Sequence, residues 1–236
     1  MAANRVAIIT GASQGIGAAL VDAYRKHSYA VVANSRTIGP ADDSGVVTVA
    51  GDVADPATAQ RIVAAAVERF GRVDTLINNA GVFIAKPFTG YTAEDYALVT
   101  AVNLTGFFHL TQRVIARMLA QGDGGHVVNM TTALVEHPNA NIPSALASLT
   151  KGGLAAVTKS LAIEYAHNGI RVNAISPGVI DTPMHADDDH AALAGLHPLG
   201  RMGTVADIVE GVLYLESANF VTGEVLHIDG GQSAGH

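Results

Sequence analysis

The amino-acid sequence predicts an α/β protein, a single domain built around one parallel sheet that helices cover on both faces. Short apolar runs rich in β-branched residues alternate along the chain with longer segments of helical period, which is typical of βαβ units. Hydrophobic residues make up 49% of the 236 residues, and 25 glycines fit a buried sheet interrupted by tight turns. No linker, repeat or low-complexity segment divides the chain, so one domain is expected over residues 1–236.

Seven apolar segments have the length and composition of strands. Because the runs are continuous rather than alternating, they indicate strands that are buried on both faces of the sheet. We predict these strands at residues 5–9, 30–34, 46–50, 73–77, 126–130, 170–175 and 225–228.

Two of the helices between these strands have clear capping residues. Asp55 precedes Pro56 at a first helical position, and Gly71 ends the segment. Between them, apolar residues recur at intervals of three and four and predict one stripe against the sheet: Ala59, Ile62, Val63, Ala66, Val67 and Phe70. Thr204, with Asp207 three residues later, resembles a capping box that opens a helix running to about residue 217.

Charge and composition limit the kinds of molecule with which the chain is expected to interact. The formal net charge is −7 and no run of Lys or Arg exceeds two residues, so the chain lacks the basic surface that nucleic acids and anionic membranes require. No apolar stretch reaches the length of a membrane span, and the first strand begins too early to leave room for a signal sequence. The absence of cysteine excludes disulfides, thiolate chemistry and Cys-based metal sites. We therefore expect a soluble, cytoplasmic protein that acts on small molecules.

A glycine-rich segment stands between the first predicted strand and the first helix. Residues 10–17 read Thr-Gly-Ala-Ser-Gln-Gly-Ile-Gly, in which the glycines permit a tight turn and close approach of the backbone to a pyrophosphate at the helix N-terminus. An ordinary βα turn is the alternative. The strand before it and the helix after it are the context that dinucleotide binding requires. The residues predicted to contact the dinucleotide are Thr10, Gly11, Ser13, Gln14, Gly15, Ile16 and Gly17.

The pattern TGxxxGIG resembles the first turn of the short-chain dehydrogenase/reductase family, and further matches follow in order along the chain. Residues 78–81 resemble the family's NNAG motif, residues 177–182 its PGxxxT segment, and residues 222–231 its closing TG and DGG. The resemblance implies a Rossmann-like, doubly wound sheet of seven parallel strands in the order 3-2-1-4-5-6-7. It also implies further contacts to a nicotinamide cofactor from Asp52, Val53, Asn79, Ala80, Gly81, Lys151, Pro177, Gly178 and Thr182.

The end of the second strand discriminates between NADP and NAD. A carboxylate there pairs with the ribose 2′-hydroxyl of NAD and repels the 2′-phosphate of NADP. This chain has Ser35 and Arg36 at that place, and a hydroxyl beside a guanidinium suits a phosphate. The alternative is that Arg36 is a solvated loop cation. We predict NADP as the cofactor, with NAD as the second possibility.

The catalytic segment departs from the family's pattern. The family uses a Tyr as general acid with a Lys four residues later on the same helix, a Ser that holds the carbonyl, and a helix Asn that completes a proton relay. By this resemblance Lys151 and Asn103 match the Lys and the Asn, whereas Thr132 replaces the Ser and Ala147 replaces the Tyr. Alanine has no titratable atom, so the usual proton donor is missing.

His137 is the most plausible replacement acid, because imidazole titrates near neutrality and the loop at 136–141 is slightly longer than the resemblance leads us to expect. The alternative is a solvated histidine in a polar loop. A retained Lys with a lost Tyr indicates that cofactor binding is preserved.

Residues 178–203 form the one irregular stretch and are predicted to be a short, mobile substrate lid. Asp187, Asp188, Asp189 and His190 within it are ligand types for hard cations or zinc. Consecutive residues in an irregular segment rarely converge on one ion, so no metal site is predicted.

The sequence is compatible with two functions. The first is an NADP-dependent oxidoreductase that reduces a small carbonyl or oxidises an alcohol, with Asn103, Thr132, Lys151 and either His137 or a water in the proton path. The second is a catalytically silent cofactor-binding protein that acts as a sensor or a partner subunit. The recognisable cofactor cradle places the enzyme first, although a fold alone does not establish activity. The resemblance also implies a homo-oligomer, a dimer or tetramer, through residues 148–166 and 225–228.

Overall fold

The computed structural model describes residues 5–235 and contains one sheet of seven parallel strands. The strands are β1 Val6–Thr10, β2 Ala30–Ser35, β3 Val46–Ala50, β4 Thr75–Asn78, β5 Gly125–Met130, β6 Ile170–Pro177 and β7 Val225–Ile228. Their order is β3-β2-β1-β4-β5-β6-β7, and every neighbouring pair is parallel. The predicted single-domain, Rossmann-like fold and its strand order are confirmed. Residues 1–4 and 236 of the predicted domain lie outside the described residues.

Seven α-helices occur in the described part of the chain. They are α1 Gly15–Lys26, α2 Pro56–Phe70, α3 Ala93–Thr100, α4 Gly106–Gln121, α5 Ala145–Tyr165, α6 His190–Ala194 and α7 Val205–Ser217. A short π-helix, Ala101–Thr105, joins α3 directly to α4. No helix within residues 5–235 is long and apolar enough to cross a membrane.

The apolar core lies in two layers, one on each face of the sheet. One layer packs α2, α4 and the end of α5 against the sheet through residues such as Ile62, Leu110 and Ala162. The other packs α1 and α7 through residues such as Leu20 and Ile208. Since both faces are covered, the central strands are buried along their whole length, which explains their continuous apolar sequence.

The capping residues identified in the sequence have the expected geometry. The Asp55 side chain accepts a hydrogen bond from the amide of Ala57 at 2.9 Å, and Gly71 ends α2 with a φ of 81°. Thr204 and Asp207 form a capping box at the start of α7.

Strand β4 begins later than predicted for a physical reason. Val73 was expected to begin the strand, but its amide donates to Gln121 Oε1 and its carbonyl accepts from Gln121 Nε2, both at 2.8 Å. The Gln121 side chain therefore satisfies the backbone groups that a neighbouring strand would otherwise bond. Val73 is still completely buried.

A buried polar cluster, here called the Glu216 cluster, closes the amino-terminal edge of the sheet. The Glu216 carboxylate accepts hydrogen bonds from Tyr24 at 3.0 Å, Tyr29 at 2.8 Å, Thr75 at 3.0 Å and His126 Nδ1 at 2.9 Å. The four donors come from α1, the segment before β2, β4 and β5. One carboxylate from the end of α7 thereby joins elements that are far apart in sequence.

Candidate active site

A cavity of about 770 Å³ lies at the carboxyl ends of the strands. Its wall includes Gly11 after β1, Ser35 at the end of β2, Asn79 after β4, Met130 at the end of β5 and Pro177 at the end of β6. In a parallel sheet these ends share one edge, and the strand order reverses between β1 and β4. This crevice is where open α/β sheets bind ligands.

The turn between β1 and α1 forms one wall of the cavity. Gly11 and Gly15 have φ values of 66° and 54°, in the left-handed region that favours glycine. A Cβ at Gly17 would lie 2.2 Å from the Gly11 carbonyl oxygen and 2.7 Å from Asn79 Nδ2. Gln14, the N-cap of α1, makes no side-chain capping bond, which leaves amides of the first turn available to an anion. This cradle of close backbone and free N–H groups fits a diphosphate.

Thr10 lies behind this wall rather than in it. Its Oγ1 accepts hydrogen bonds from the amides of Asn79 at 3.1 Å and Ala80 at 3.0 Å, and it is 1% exposed. The other six residues predicted in the turn line the cavity: Gly11, Ser13, Gln14, Gly15, Ile16 and Gly17. Thr10 therefore positions the segment after β4, and its direct contact with a cofactor stays a prediction.

Ser35 and Arg36 both line the cavity, and Thr37 extends the same stretch of wall. The Ser35 hydroxyl is buried without a hydrogen-bond partner among the described residues, whereas Arg36 is exposed. An unpartnered hydroxyl next to a guanidinium suits a phosphate, which carries several acceptor oxygens. Asp52 and Val53, also predicted to contact the cofactor, lie on the wall as well.

The other residues predicted to contact the cofactor also meet at the cavity. The lining contains Asn79, Ala80, Gly81, Pro177, Gly178 and Thr182. A Cβ at Gly81 would lie 3.0 Å from Lys151 Nζ, so the backbone after β4 passes close to the lysine amine.

Asn103 belongs to the short π-helix and is 2% exposed. Its Oδ1 accepts from the amide of Val82 at 2.9 Å, and its Nδ2 donates to the Val82 carbonyl and to Thr150 Oγ1, both at 3.1 Å. These bonds fix the segment that follows Gly81. Asn103 does not line the cavity, so its predicted place in a proton path stays a prediction.

Thr132, Ala147 and Lys151 lie together at the cavity wall. Ala147 and Lys151 are one turn apart on α5, and Thr132 follows β5. Lys151 Nζ donates to the carbonyl of Met130 at 2.7 Å. The Thr132 hydroxyl oxygen accepts from the Leu134 amide at 3.4 Å, which leaves its proton available.

Burial lowers the pKa of Lys151 to about 8. No charged group contributes to this shift, since removal of the ammonium from water is its only cause. A lysine with this pKa is mostly protonated at neutral pH and still able to release its proton.

His137 is absent from the cavity wall, where its prediction as replacement acid would place it. It follows the short helical turn Ala133–Val135, and its amide donates to the Ala133 carbonyl at 2.9 Å. Its role as an acid stays a prediction.

All six tyrosines of the sequence lie within residues 5–235, and none of them lines the cavity. Tyr24 and Tyr29 belong to the Glu216 cluster, and the Tyr91 hydroxyl donates to the Ile84 carbonyl at 2.8 Å. The fold therefore brings no phenol from elsewhere to the position beside Ala147.

Sequence reasoning missed part of the wall. The missed residues include Val82, Phe83, Ile142 and Gln232. Gln232, 2% exposed, directly follows the closing DGG motif, and that motif was the one signal that this segment returns to the site. The others lie on loops, where periodicity carries no information about which side chains face a cavity.

Segment 178–203 contributes a further part of the wall. It contains the short turn Pro183–His185 and helix α6, which Asp189 caps by accepting from the amides of Ala191 and Ala192. His185 Nδ1 lies 2.7 Å from Asp188 Oδ2, and both residues line the cavity.

Comparisons with known proteins agree with this geometry. A family model described as Enoyl-(Acyl carrier protein) reductase matches residues 11–233. The 3beta-hydroxysteroid dehydrogenase 1 of Eggerthella lenta is 34% identical over 247 residues, which cover 98% of this chain and 94% of that protein. The L-rhamnose 1-dehydrogenase (NAD(P)(+)) of a Sphingomonas species is 34% identical over 249 residues, which cover 97% and 96%.

Among solved structures, ElxO with NADP bound has a TM-score of 0.89 and 28% sequence identity, covering 98% of this chain and 100% of that chain. The family model and these relatives span nearly the whole chain, and the TM-score of 0.89 shows that the folds are similar. The chain belongs to the short-chain dehydrogenase/reductase family.

Proposed function

We propose that this chain is an NADP-dependent oxidoreductase that reduces a small carbonyl compound or oxidises the corresponding alcohol. The observation that carries the proposal is one continuous cavity that joins the phosphate-binding turn of residues 10–17 to Thr132, Ala147 and Lys151. A cofactor held at the turn would thus extend toward a group able to exchange a proton.

NADP is the proposed cofactor, with NAD as the alternative. The buried Ser35 hydroxyl and the exposed Arg36 support NADP, because both suit a 2′-phosphate. ElxO holds NADP in its solved structure, and the L-rhamnose relative is named as an NAD(P)(+) enzyme. Both are consistent with a cradle that accepts either dinucleotide and prefers one.

The chain's own residues have distinct tasks in this proposal. The backbone amides at the start of α1 bind the diphosphate, and Lys151 donates to the nicotinamide ribose. The Thr132 hydroxyl donates to the substrate oxygen and orients the carbonyl. The bound reduced cofactor supplies the hydride. Ala147 contributes no proton, so the site is atypical and its rate depends on another donor.

Segment 178–203 is proposed to be a lid over the substrate. It places Thr182, Met184, His185 and Leu193 on the cavity wall, opposite the strand ends. A cover of this kind excludes water from the reacting carbonyl, and a loop with little regular structure is suited to open and close.

The alternative is a catalytically silent protein that keeps its cofactor. One observation favours it, namely that no phenol stands beside Lys151. General acid catalysis contributes about 10²–10⁴ in rate, so its loss would slow the reaction without abolishing it. The relatives named above are dehydrogenases, which supports the enzyme.

Fluorescence titration with NADPH and NADH, followed by a screen of carbonyl substrates, tests the proposal. We expect tighter binding of NADPH than of NADH and consumption of NADPH with at least one ketone or aldehyde. The protein could instead bind NADPH and oxidise it with none of a broad set of ketones, aldehydes and keto sugars. That result would support the catalytically silent alternative. A protein that binds neither dinucleotide would refute both functions.

We also propose a homo-oligomer, a dimer or tetramer, formed through α5 and β7. On α5, Leu149 and Ile163 are 59% and 76% exposed, and they offer apolar side chains that a partner subunit would cover. Sedimentation velocity would distinguish a monomer from these assemblies. The cytoplasmic location stays a prediction from the sequence.

A further inference from the structure

We propose that Lys151 is itself the proton donor of this site, delivering its ammonium proton to a substrate oxygen that lies in the space beyond the Ala147 methyl group. The inference rests on the proposed function, and it names the group that replaces a tyrosine in that reaction.

The position of Lys151 supports this role. Ala147 stands one turn earlier on α5, so the two side chains share a helix face, and both line the cavity. Because the side chain at 147 ends at its first carbon, nothing on that turn of α5 separates the amine from the cavity. Thr132, on the wall beside them, supplies the second hydrogen bond that a carbonyl oxygen accepts.

A hydrogen bond holds the Lys151 amine in place, but not all of its N–H groups have an acceptor. Of its three N–H bonds, one is used by the Met130 carbonyl at 2.7 Å, and the amine has no other hydrogen-bond partner within residues 5–235. Two N–H bonds therefore remain, one for the nicotinamide ribose and one for the substrate oxygen. Met130 itself is held in β5 beside β6, so the direction of the amine is set by the sheet.

Other titratable groups on the wall are less suited to the task. Arg36 and Asp52 belong to the end of the cavity formed by β2 and β3, where the adenosine half of the cofactor is expected. On the 178–203 segment, His185 and Asp188 bond to each other at 2.7 Å, and the Asp189 carboxylate caps α6 by accepting from the amides of Ala191 and Ala192. Among the described residues of the wall, Lys151 is the titratable group that shares a helix face with Ala147.

The proton balance is simple. In the reductive direction the carbonyl carbon accepts a hydride from the reduced cofactor, and the carbonyl oxygen takes a proton from the Lys151 ammonium. The products are the alcohol, the oxidised cofactor and a neutral Lys151 amine, which recovers a proton from solvent. In the oxidative direction the neutral amine accepts the proton of the alcohol.

The surroundings of the amine make this exchange feasible near neutral pH. Gly81 after β4, Asn103 in the π-helix, Met130 at the end of β5 and Ala147 on α5 face Lys151 from the elements packed around it, and none carries a charge. Burial alone lowers the pKa of Lys151 to about 8. The ammonium is therefore the major form below that pH, and reduction should slow as the pH rises through it.

The first test measures Lys151 in the protein without cofactor. Acetylation by acetic anhydride across pH 6 to 11, quantified by mass spectrometry, reports the pKa of each lysine, with exposed Lys159 on the same helix as internal reference. We expect Lys151 to titrate near 8. A Lys151 that titrates together with Lys159 would overturn the assignment.

The second test compares Lys151→Arg with wild type, and Lys159→Arg serves as the matched control. Arginine keeps a cation beside the ribose but does not release its proton, so NADPH should bind with a similar Kd. We expect the single-turnover rate of reduction to fall by about 10²–10⁴ and its pH dependence near 8 to disappear. Lys159→Arg should change neither.

These experiments distinguish failure of the proposed function from failure of the Lys151 assignment. Wild-type protein that binds NADPH but reduces no carbonyl refutes the proposed function, and the Lys151 assignment with it. Wild-type turnover that survives in Lys151→Arg with its pH dependence intact overturns the assignment alone. Loss of the pH dependence in His185→Ala, but not in Lys151→Arg, would give the role to the His185–Asp188 pair instead.

Discussion

At the scale of one residue, Gly17 shows that the glycine-rich turn of residues 10–17 has no room for a side chain at that position. A Cβ at this position would lie 2.2 Å from a backbone oxygen, a contact that no side-chain movement relieves. We expect Gly17→Ala to lower NADPH affinity at least tenfold, because the backbone of the turn must move. Isothermal titration calorimetry checks this. Gly152→Ala on α5 is the control, since its Cβ would meet only Val135 Cγ1 at 3.6 Å; equal affinities of both variants would contradict the cradle.

Arg36 carries the second prediction at this scale. If its guanidinium binds the 2′-phosphate, Arg36→Ala should raise the Kd for NADPH by roughly tenfold or more and leave the Kd for NADH nearly unchanged, since a charge-assisted hydrogen bond contributes about 1.5–3 kcal/mol. Parallel fluorescence titrations measure both values. Arg113→Ala, an exposed site on α4, is the matched control. Equal losses for both dinucleotides would remove the NADP assignment.

Single residues also mark where sequence reasoning reached its limit. Thr10 and Asn103 were predicted at the site from motif positions, yet their side chains are turned toward the backbone of residues 79–82 and are almost completely buried. A motif shows that a residue type is needed near a site, but not whether it touches the ligand or holds the loop that does. That distinction depends on side-chain direction, which only the folded chain fixes.

At the scale of an element, α5 carries both Lys151 of the proposed site and two glycines that affect the stability of the helix. Gly152 and Gly153 follow Lys151, and glycine within a helix costs about 0.5–1 kcal/mol relative to alanine. Because open space or ordinary contact surrounds Gly152, we expect Gly152→Ala to raise the free energy of unfolding by about 0.5–1 kcal/mol. Urea denaturation measures it. A loss of stability would show that the helix needs this glycine for close packing.

Elements with strong local signals were the ones predicted well. The boundaries of α2 and α7 follow from capping residues, and β3 and β7 begin and end as predicted. Strand β4 is shorter than predicted because the Gln121 side chain, 48 residues away, takes over the hydrogen bonds of Val73. Helix α6 was missed within the irregular stretch, since a helix of five residues shows no clear periodicity.

At the scale of the whole molecule, the Glu216 cluster stabilises the amino-terminal edge of the sheet, which lies opposite the cavity. Burial raises the pKa of the Glu216 carboxyl, but hydrogen bonds from His126, Tyr29 and Thr75 outweigh it and hold the pKa well below its usual range. Four donors from separate elements converge on this carboxylate, so its removal leaves several buried polar groups without a partner.

We expect Glu216→Ala to lower the free energy of unfolding by about 3–5 kcal/mol at neutral pH, because several buried donors lose their acceptor and each unsatisfied buried group costs about 1–3 kcal/mol. Because the folded-state pKa is depressed, the stabilisation is present above the ordinary carboxyl pKa and is lost as the pH falls below it. Thermal unfolding at pH 7 and pH 3 measures both effects. Glu210→Gln, exposed on the same helix, should change neither value; an equal change in both variants would contradict the role of the cluster.

The small side chain of Ala147 also affects the size of the substrates that the proposed enzyme accepts. A phenol at that position would occupy part of the cavity between Thr132 and Lys151 and would restrict the groups flanking the carbonyl. With only a methyl group at that place on the cavity wall, we expect a ketone carrying bulky substituents on both sides to be accepted as well as a small aldehyde. We expect Ala147→Tyr to add a second proton donor beside Lys151 and so to speed the reduction of small carbonyls. We also expect it to lose activity toward the largest ketones, which an assay with ketones of increasing size would measure.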